Sequence, residues 1–79
     1  MTTLTNALDT VFVPGVGDFI VQATPLPAFL DRRNTAGAAW AAVDGVPIVG
    51  ALIVNNPVAG AEYRFRATPA GTTNVQADQ

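Results

Sequence analysis

The stretch that decides the fold class is Ala61-Glu62-Tyr63-Arg64-Phe65-Arg66-Ala67-Thr68. Read with a period of two, it has one apolar side and one charged side: Tyr63, Phe65 and Ala67 against Glu62, Arg64 and Arg66. This alternation is typical of an antiparallel strand that packs one face on a core and leaves the other in water. Turn-forming residues bound it, with Asn56-Pro57 and Gly60 before it and Pro69 after it.

The rest of the chain repeats this pattern more weakly. Short strands are predicted where β-branched and aromatic residues run between turn signals: Thr10–Val13, Gly17–Thr24, Ala28–Arg33, Ala38–Val43, Pro47–Val54 and Thr72–Ala77. Asn34–Gly37 is predicted to connect a hairpin, and Asp44-Gly45 to form a second, tight one. Pro25 and Pro27 are expected to exclude a central strand around Leu26, because proline donates no backbone hydrogen bond.

These elements predict an all-β fold of about six to seven short strands, as a small antiparallel sandwich or partly closed barrel of immunoglobulin-like or jelly-roll-like type. Residues 1–9 are polar and threonine-rich and are expected to form an extended N-terminal arm. Residues 10–79 then form a single domain. A helix over Ala36–Val43 is the main alternative, since alanine is dense there.

Composition favours assembly with other chains. Small domains usually gain stability from disulfides, a metal or partner subunits. This chain has no cysteine and no histidine, which leaves partner subunits. Only 13% of its residues are charged, against a typical share near 25%. A compositional bias toward alanine, glycine, valine and proline is the other explanation for these figures.

The pattern Pro47–Val54 adds to this argument, because it is apolar on both faces and includes Ile53 on the side opposite Leu52. Such a strand is either buried on both faces or lies at a subunit interface. Net charge is only −2, so neither nucleic acid nor an anionic membrane is expected as a partner. The N-terminus shows no basic and apolar export signal, and the chain is expected to remain in the compartment where it is made.

Few side chains could carry out catalysis. Histidine, cysteine, lysine and serine are all missing, which removes the usual bases and nucleophiles. The carboxylates are scattered singly, without the paired spacing of a glycosidase or a two-metal site. We therefore expect no enzyme, no cofactor and no metal, although turn aspartates leave a calcium site open as an alternative.

The arginines and the single tryptophan are the remaining candidates for binding. Arg64 and Arg66 share a strand face, whereas the consecutive residues Arg32 and Arg33 point to opposite faces. All four are candidate interface residues; the other interpretation is a solvated face with cross-strand pairing to Glu62 or Asp31. Trp40, like Tyr63, Phe65 and Phe19, is expected to be a structural core residue, with a sugar-stacking platform as the alternative for Trp40.

Two resemblances extend these interpretations. The segment from Asn56-Pro57 through Gly60 to Tyr63-Arg64-Phe65-Arg66 resembles the tyrosine corner of immunoglobulin-like and fibronectin type III domains. That resemblance implies that the Tyr63 hydroxyl ties back to the backbone of the preceding turn. It covers only about a dozen residues, and the immunoglobulin cysteines are missing.

Four segments in order resemble the small structural proteins of tailed bacteriophages: Gly17–Gln22, Leu30–Arg33, Gly37–Trp40 and the Asn56–Arg66 stretch. The resemblance implies a virion component, made in the host cytoplasm, that binds the major capsid protein or other virion proteins. As a decoration or cement protein it would strengthen the capsid shell, as a homo-oligomer with a trimer favoured. The alternative is a module of a tail fibre or spike that binds a host surface glycan through Trp40.

Overall fold

The computed structural model describes residues 1–79 and shows an all-β chain, so the predicted fold class is confirmed. Its six strands are β1 (Thr3–Thr5), β2 (Gly17–Arg33), β3 (Ala41–Ala42), β4 (Ile48–Asn56), β5 (Glu62–Ala67) and β6 (Asn74–Asp78). They form one open sheet in which every pairing is antiparallel. No helix forms over Ala36–Val43, where the only helical feature is a 3₁₀ turn at Val43–Gly45.

The long strand β2 is the central strand of the sheet, and other strands pair with it along both edges. Along one edge, β3 and β4 pair with β2 between the residue pairs Arg32↔Ala41 and Gly17↔Asn56. On the other edge β5 pairs with its second half and β6 with its first half. The sheet is therefore organised around a strand of 17 residues.

The prolines mark a bend in β2 and do not end it, so the prediction that they exclude a central strand is wrong. Pairing with β4 moves from Ala23↔Gly50 directly to Ala28↔Ile48, which leaves the four residues between Ala23 and Ala28 opposite a single residue. A proline is tolerated in such a bulge because no ladder hydrogen bond is required there. Leu26, between the prolines, donates its backbone N–H to the Thr73 hydroxyl at 3.1 Å.

Asp44-Gly45 does not form the predicted hairpin. Strands β3 and β4 run in the same direction along β2, and the register passes from Asp31↔Ala42 to Ala28↔Ile48. The segment from Ala42 to Ile48 is longer than the segment of β2 opposite it, from Asp31 to Ala28, and its extra residues form the 3₁₀ turn. Asp44 and Gly45 supply the positive φ values of 60° and 70° that the turn needs. The two residues therefore form a turn, as predicted, but this turn does not reverse the chain into a hairpin.

The N-terminal residues pack on their own chain, with an extended strand at Thr3–Thr5 and a turn at Ala7–Asp9. β1 pairs with β6, and Thr2 and Gln79 exchange backbone hydrogen bonds of 2.7 and 2.9 Å. Farther along, the Asp9 N–H donates to the Phe65 carbonyl at 2.8 Å. The side chains of Leu4 and Leu8 lie against the hydrophobic core.

The core lies between the two halves of the folded sheet. Phe19 from the first half of β2 meets Tyr63 from β5 edge to face, with ring centroids 5.0 Å apart. Phe12 pairs with Tyr63 through two backbone hydrogen bonds and also contacts Phe19 and Phe65. Because the prolines bend β2, its halves share one cluster of twelve buried apolar residues.

Candidate functional site

Tyr63 is fully buried and anchors the corner between β4 and β5, although its partner differs from the one implied by the tyrosine-corner resemblance. Its hydroxyl donates to the side-chain oxygen of Asn56 at 3.3 Å, and not to the turn backbone. The Asn56 amide nitrogen donates in turn to the carbonyls of Pro14 and Gly15, at 3.2 and 3.0 Å. The sequence pattern marked Asn56 only as part of a turn, so its bridging role was missed.

Burial raises the pKa of the Tyr63 phenol above its ordinary value near 10, while the positive charge and hydrogen-bonding capacity of nearby Arg32 lower it. Burial has the larger effect because a phenolate is poorly stabilised away from water. Tyr63 therefore stays neutral over the usual range of pH.

Asp31 gathers two of the predicted interface arginines into an internal ion cluster. Its side chain is only 2% exposed and accepts hydrogen bonds from Arg66 at 2.8 Å and from Arg64 at 3.3 Å. The guanidinium of Arg66 also lies 4.3 Å from the ring centre of Phe29. Within the chain, Arg64 and Arg66 therefore make the cross-strand ion pairs of the second interpretation, and Asp31 is their partner.

Trp40 is not part of the core, contrary to the expected role as a core anchor. It lies in the loop between β2 and β3, partly exposed, with the guanidinium carbons of Arg33 and Arg64 at 4.4 and 4.3 Å from its ring centre. Arg33 also forms an ion pair with Glu62 at 2.6 Å. A short β3 leaves this part of the hairpin loop outside the sheet, so the indole packs on cations and not on apolar side chains.

Arg32 differs from the other three arginines, because it forms no ion pair within the chain. It lies directly opposite Tyr63 in the register, and residues directly opposite share a face. Arg32 therefore points to the inner side of the sheet, with its guanidinium 5.8 Å from the Tyr63 ring centre. Its Nε atom is buried without a partner.

A cavity of about 380 Å³ opens beside Arg32, at the end of the core. Its polar lining includes Arg33, Asn34 and Asn55 together with Arg32, and its apolar lining comes mainly from alanines of the hairpin loop and β3. No aspartate or glutamate lines it. The sequence indicated Arg32 as a candidate, but the cavity was missed because it is formed by segments far apart in the chain.

Strand β4 combines an apolar surface with an open sheet edge. It pairs with β2 on one side, and no strand pairs with its other side. Ile53 is 66% exposed and Val49 is 62% exposed, so the strand is not buried on both faces. Of the two predicted alternatives for this strand, burial on both faces is wrong, and the subunit interface stays a prediction.

Comparisons with protein-family models, with curated proteins and with solved structures gave no match for this chain. None of its elements is a helix long and apolar enough to cross a membrane. No group of three or more acidic side chains is placed to hold a metal ion.

Proposed function

We propose that this chain is a non-enzymatic structural protein of a tailed-bacteriophage particle, a decoration or cement protein that stabilises the capsid shell by binding the major capsid protein. The observation that carries the proposal is the exposed, uncharged edge strand β4. No charged residue occurs between Asp44 and Glu62, and from Ile48 to Val54 the strand offers only backbone groups and apolar side chains. The assignment to a phage particle draws on the four resembling segments.

An unprotected apolar edge calls for a partner. Soluble proteins usually protect edge strands with lysine, proline or inward-pointing charges, because free N–H and C=O groups pair with other strands. The outer edge of β4 has no lysine or other charge on it. Burying an exposed valine or isoleucine contributes about 1.5–3 kcal/mol for a complete side chain, so Val49 and Ile53 add substantially to such a contact.

We infer that a second copy of the chain covers β4, in a ring for which a trimer is favoured. The opposite edge of the sheet is also open and apolar, because Val11 and Val13 flank Phe12 and are exposed. Two different edges that pair head to tail generate a ring when the rotation between subunits closes, whereas a self-paired β4 would generate a dimer. The outer surface of the ring then meets the capsid lattice.

The ring model is tested with two charge substitutions and a mixing experiment. Ile53→Lys blocks the β4 edge and Val13→Lys blocks the opposite edge; each variant alone is expected to be monomeric by light scattering. A mixture of the two should form dimers and no larger species, because one intact interface remains. Val58→Lys is the matched control, since Val58 is exposed in a turn outside both edges. A wild-type chain that stays monomeric at high concentration would contradict the model.

Attachment to the particle is tested separately. The chain is added to capsids that lack it, and the copies bound are counted by gel densitometry. Occupancy in proportion to the major capsid protein supports a decoration role, whereas a few copies per particle would indicate a tail component. Ile53→Lys is expected to reduce attachment strongly. Undiminished attachment of that variant would overturn the role given to β4.

A further inference from the structure

The cavity beside Arg32 has the composition of a binding site. Of the two arginines that line it, Arg33 is paired with Glu62, whereas Arg32 has no acidic partner in the chain and its Nε–H is buried and unsatisfied. A buried donor without a partner is costly in a folded protein and usually indicates a missing acceptor. A ligand that supplies an acceptor would remove this cost.

We propose that the cavity binds a monocarboxylate on a short aliphatic stem, with the guanidinium of Arg32 as its counter-charge. Two arginines line the cavity, and the charge of Arg33 is already paired with Glu62, so one negative charge next to Arg32 balances the site. A guanidinium matches a carboxylate geometrically, since its N–H groups form a planar fork. This inference does not depend on the proposed role in a phage particle.

The other walls favour an aliphatic stem. Ala39, Ala42, Val43 and Val54 give the cavity an apolar side, while Asn34 and Asn55 add amide groups near the charge. A volume of about 380 Å³ falls at the lower end of the range for small-molecule sites. A phosphate dianion fits less well, because it would leave one charge uncompensated against an apolar wall.

Binding is tested with pentanoate as the probe, and with pentanol and inorganic phosphate as comparisons. Backbone amide NMR shifts of Arg32, Val43 and Asn55 report occupancy of the site. Pentanoate is expected to shift them in a saturable way, and pentanol and phosphate are not. Because the bound charge would offset the effect of Arg32, pentanoate should also move the ionisation of Tyr63 to higher pH. Equal shifts from phosphate, or none from pentanoate, would overturn the proposal.

Variants assign the interaction to Arg32. Arg32→Met removes the charge and should weaken binding by at least about tenfold, the effect of losing a charge-assisted hydrogen bond. Arg32→Lys keeps the charge without the fork and should recover part of the affinity. If the methionine variant fails to fold, Ala39→Asp puts a competing carboxylate in the cavity from an exposed position.

Ala59→Asp is the matched control, because it adds the same charge in an exposed turn that does not line the cavity. It should leave binding unchanged. If Ala39→Asp and Ala59→Asp weaken pentanoate binding equally, the effect comes from net charge alone and the proposal is overturned. Unchanged affinity of the Arg32→Met variant for pentanoate would also overturn it.

A monocarboxylate of this kind occurs as a short free acid or as the C-terminus of a partner chain. The acetylated dipeptide Ala-Val, as free acid and as amide, separates the two sources. If the free-acid peptide binds more tightly than pentanoate, the ligand is the C-terminus of a partner chain. If pentanoate binds more tightly, the ligand is a short free acid. Binding of the amide as tightly as the acid would contradict recognition of a carboxylate.

Discussion

Raising the pH above about 10 is expected to destabilise this protein through a single residue, Tyr63. The chain has no lysine, cysteine or histidine and only one tyrosine. Lysine, cysteine and tyrosine are the side chains whose ordinary pKa values lie in or next to the interval from about pH 9 to about pH 11.5. Any proton-linked change of stability in that interval therefore belongs to the Tyr63 phenol.

The sign follows from burial. In the unfolded chain the phenol loses its proton near pH 10, while in the folded chain burial holds its pKa higher, despite the opposing effect of Arg32. Above about pH 10 the unfolded state thus binds fewer protons than the folded state, and the free energy of unfolding falls as pH rises. The limiting slope for one proton is about 1.4 kcal/mol per pH unit, and it ends where the folded-state phenol ionises.

The contacts of Tyr63 explain why the fold resists the charge. The hydroxyl is a hydrogen-bond donor to the Asn56 side-chain oxygen, and ionisation would set a phenolate against that oxygen. The whole residue is buried, so a phenolate there would lack most of its hydration. Urea unfolding at a series of pH values, followed by Trp40 fluorescence, measures the slope, and phenolate absorbance measures the ionisation of the folded protein.

Tyr63→Phe is the control, since it keeps the ring and removes the titrating group. Its free energy of unfolding should be nearly constant over the interval in which that of the wild type falls. Arg32→Met should extend the falling region to higher pH, because Arg32 lowers the pKa of Tyr63. A Tyr63→Phe slope equal to that of the wild type, or a folded-state phenolate that appears at pH 10, would refute this account.

Three further predictions concern stability. Asn56→Ala should lower the free energy of unfolding by at least about 2 kcal/mol in urea titration, because it leaves the buried Pro14 carbonyl and the Tyr63 hydroxyl without partners; a loss smaller than that of Tyr63→Phe would contradict this. Replacing Arg64 and Arg66 together with alanine should lower the melting temperature more than either single change, because the buried carboxylate of Asp31 loses both cations. If attachment to the particle falls and the melting temperature does not, these arginines act at an interface. Deleting residues 1–9 should also lower the melting temperature, since this segment pairs with β6 and covers the core; an unchanged transition by circular dichroism would indicate a free arm.

Much of the local structure could be predicted from sequence. The alternation of Tyr63, Phe65 and the arginines between them identified β5 and its buried face, because neighbouring side chains of a strand point to opposite sides. The turn at Asn34–Gly37 was also evident from residue types. Trp40 was misjudged, because residue type alone favours burial and only the short pairing of β3 shows that its loop lies outside the sheet.

Two of the wrong predictions share one cause. The sequence predicts strand ends at Pro25 and Asp44, but Pro25 lies in a bulge and Asp44 in a 3₁₀ turn, and at both points the chain continues along the same partner. Whether a breaker ends a strand or only bends it depends on the register of the neighbouring strand, which local sequence does not contain. The bend in β2 is therefore a tertiary feature.

By itself the sequence determined the all-β class, the inward face of β5 and the scarcity of charge around β4, since each depends on residue type and on alternation between neighbours. The tertiary structure decided which charges meet. It brought Arg64 and Arg66 to Asp31, more than thirty residues away, and left Arg32 alone beside a cavity. The physical reason is that charge pairing depends on the register across the bent β2, where a shift of one residue exchanges the two faces of a strand.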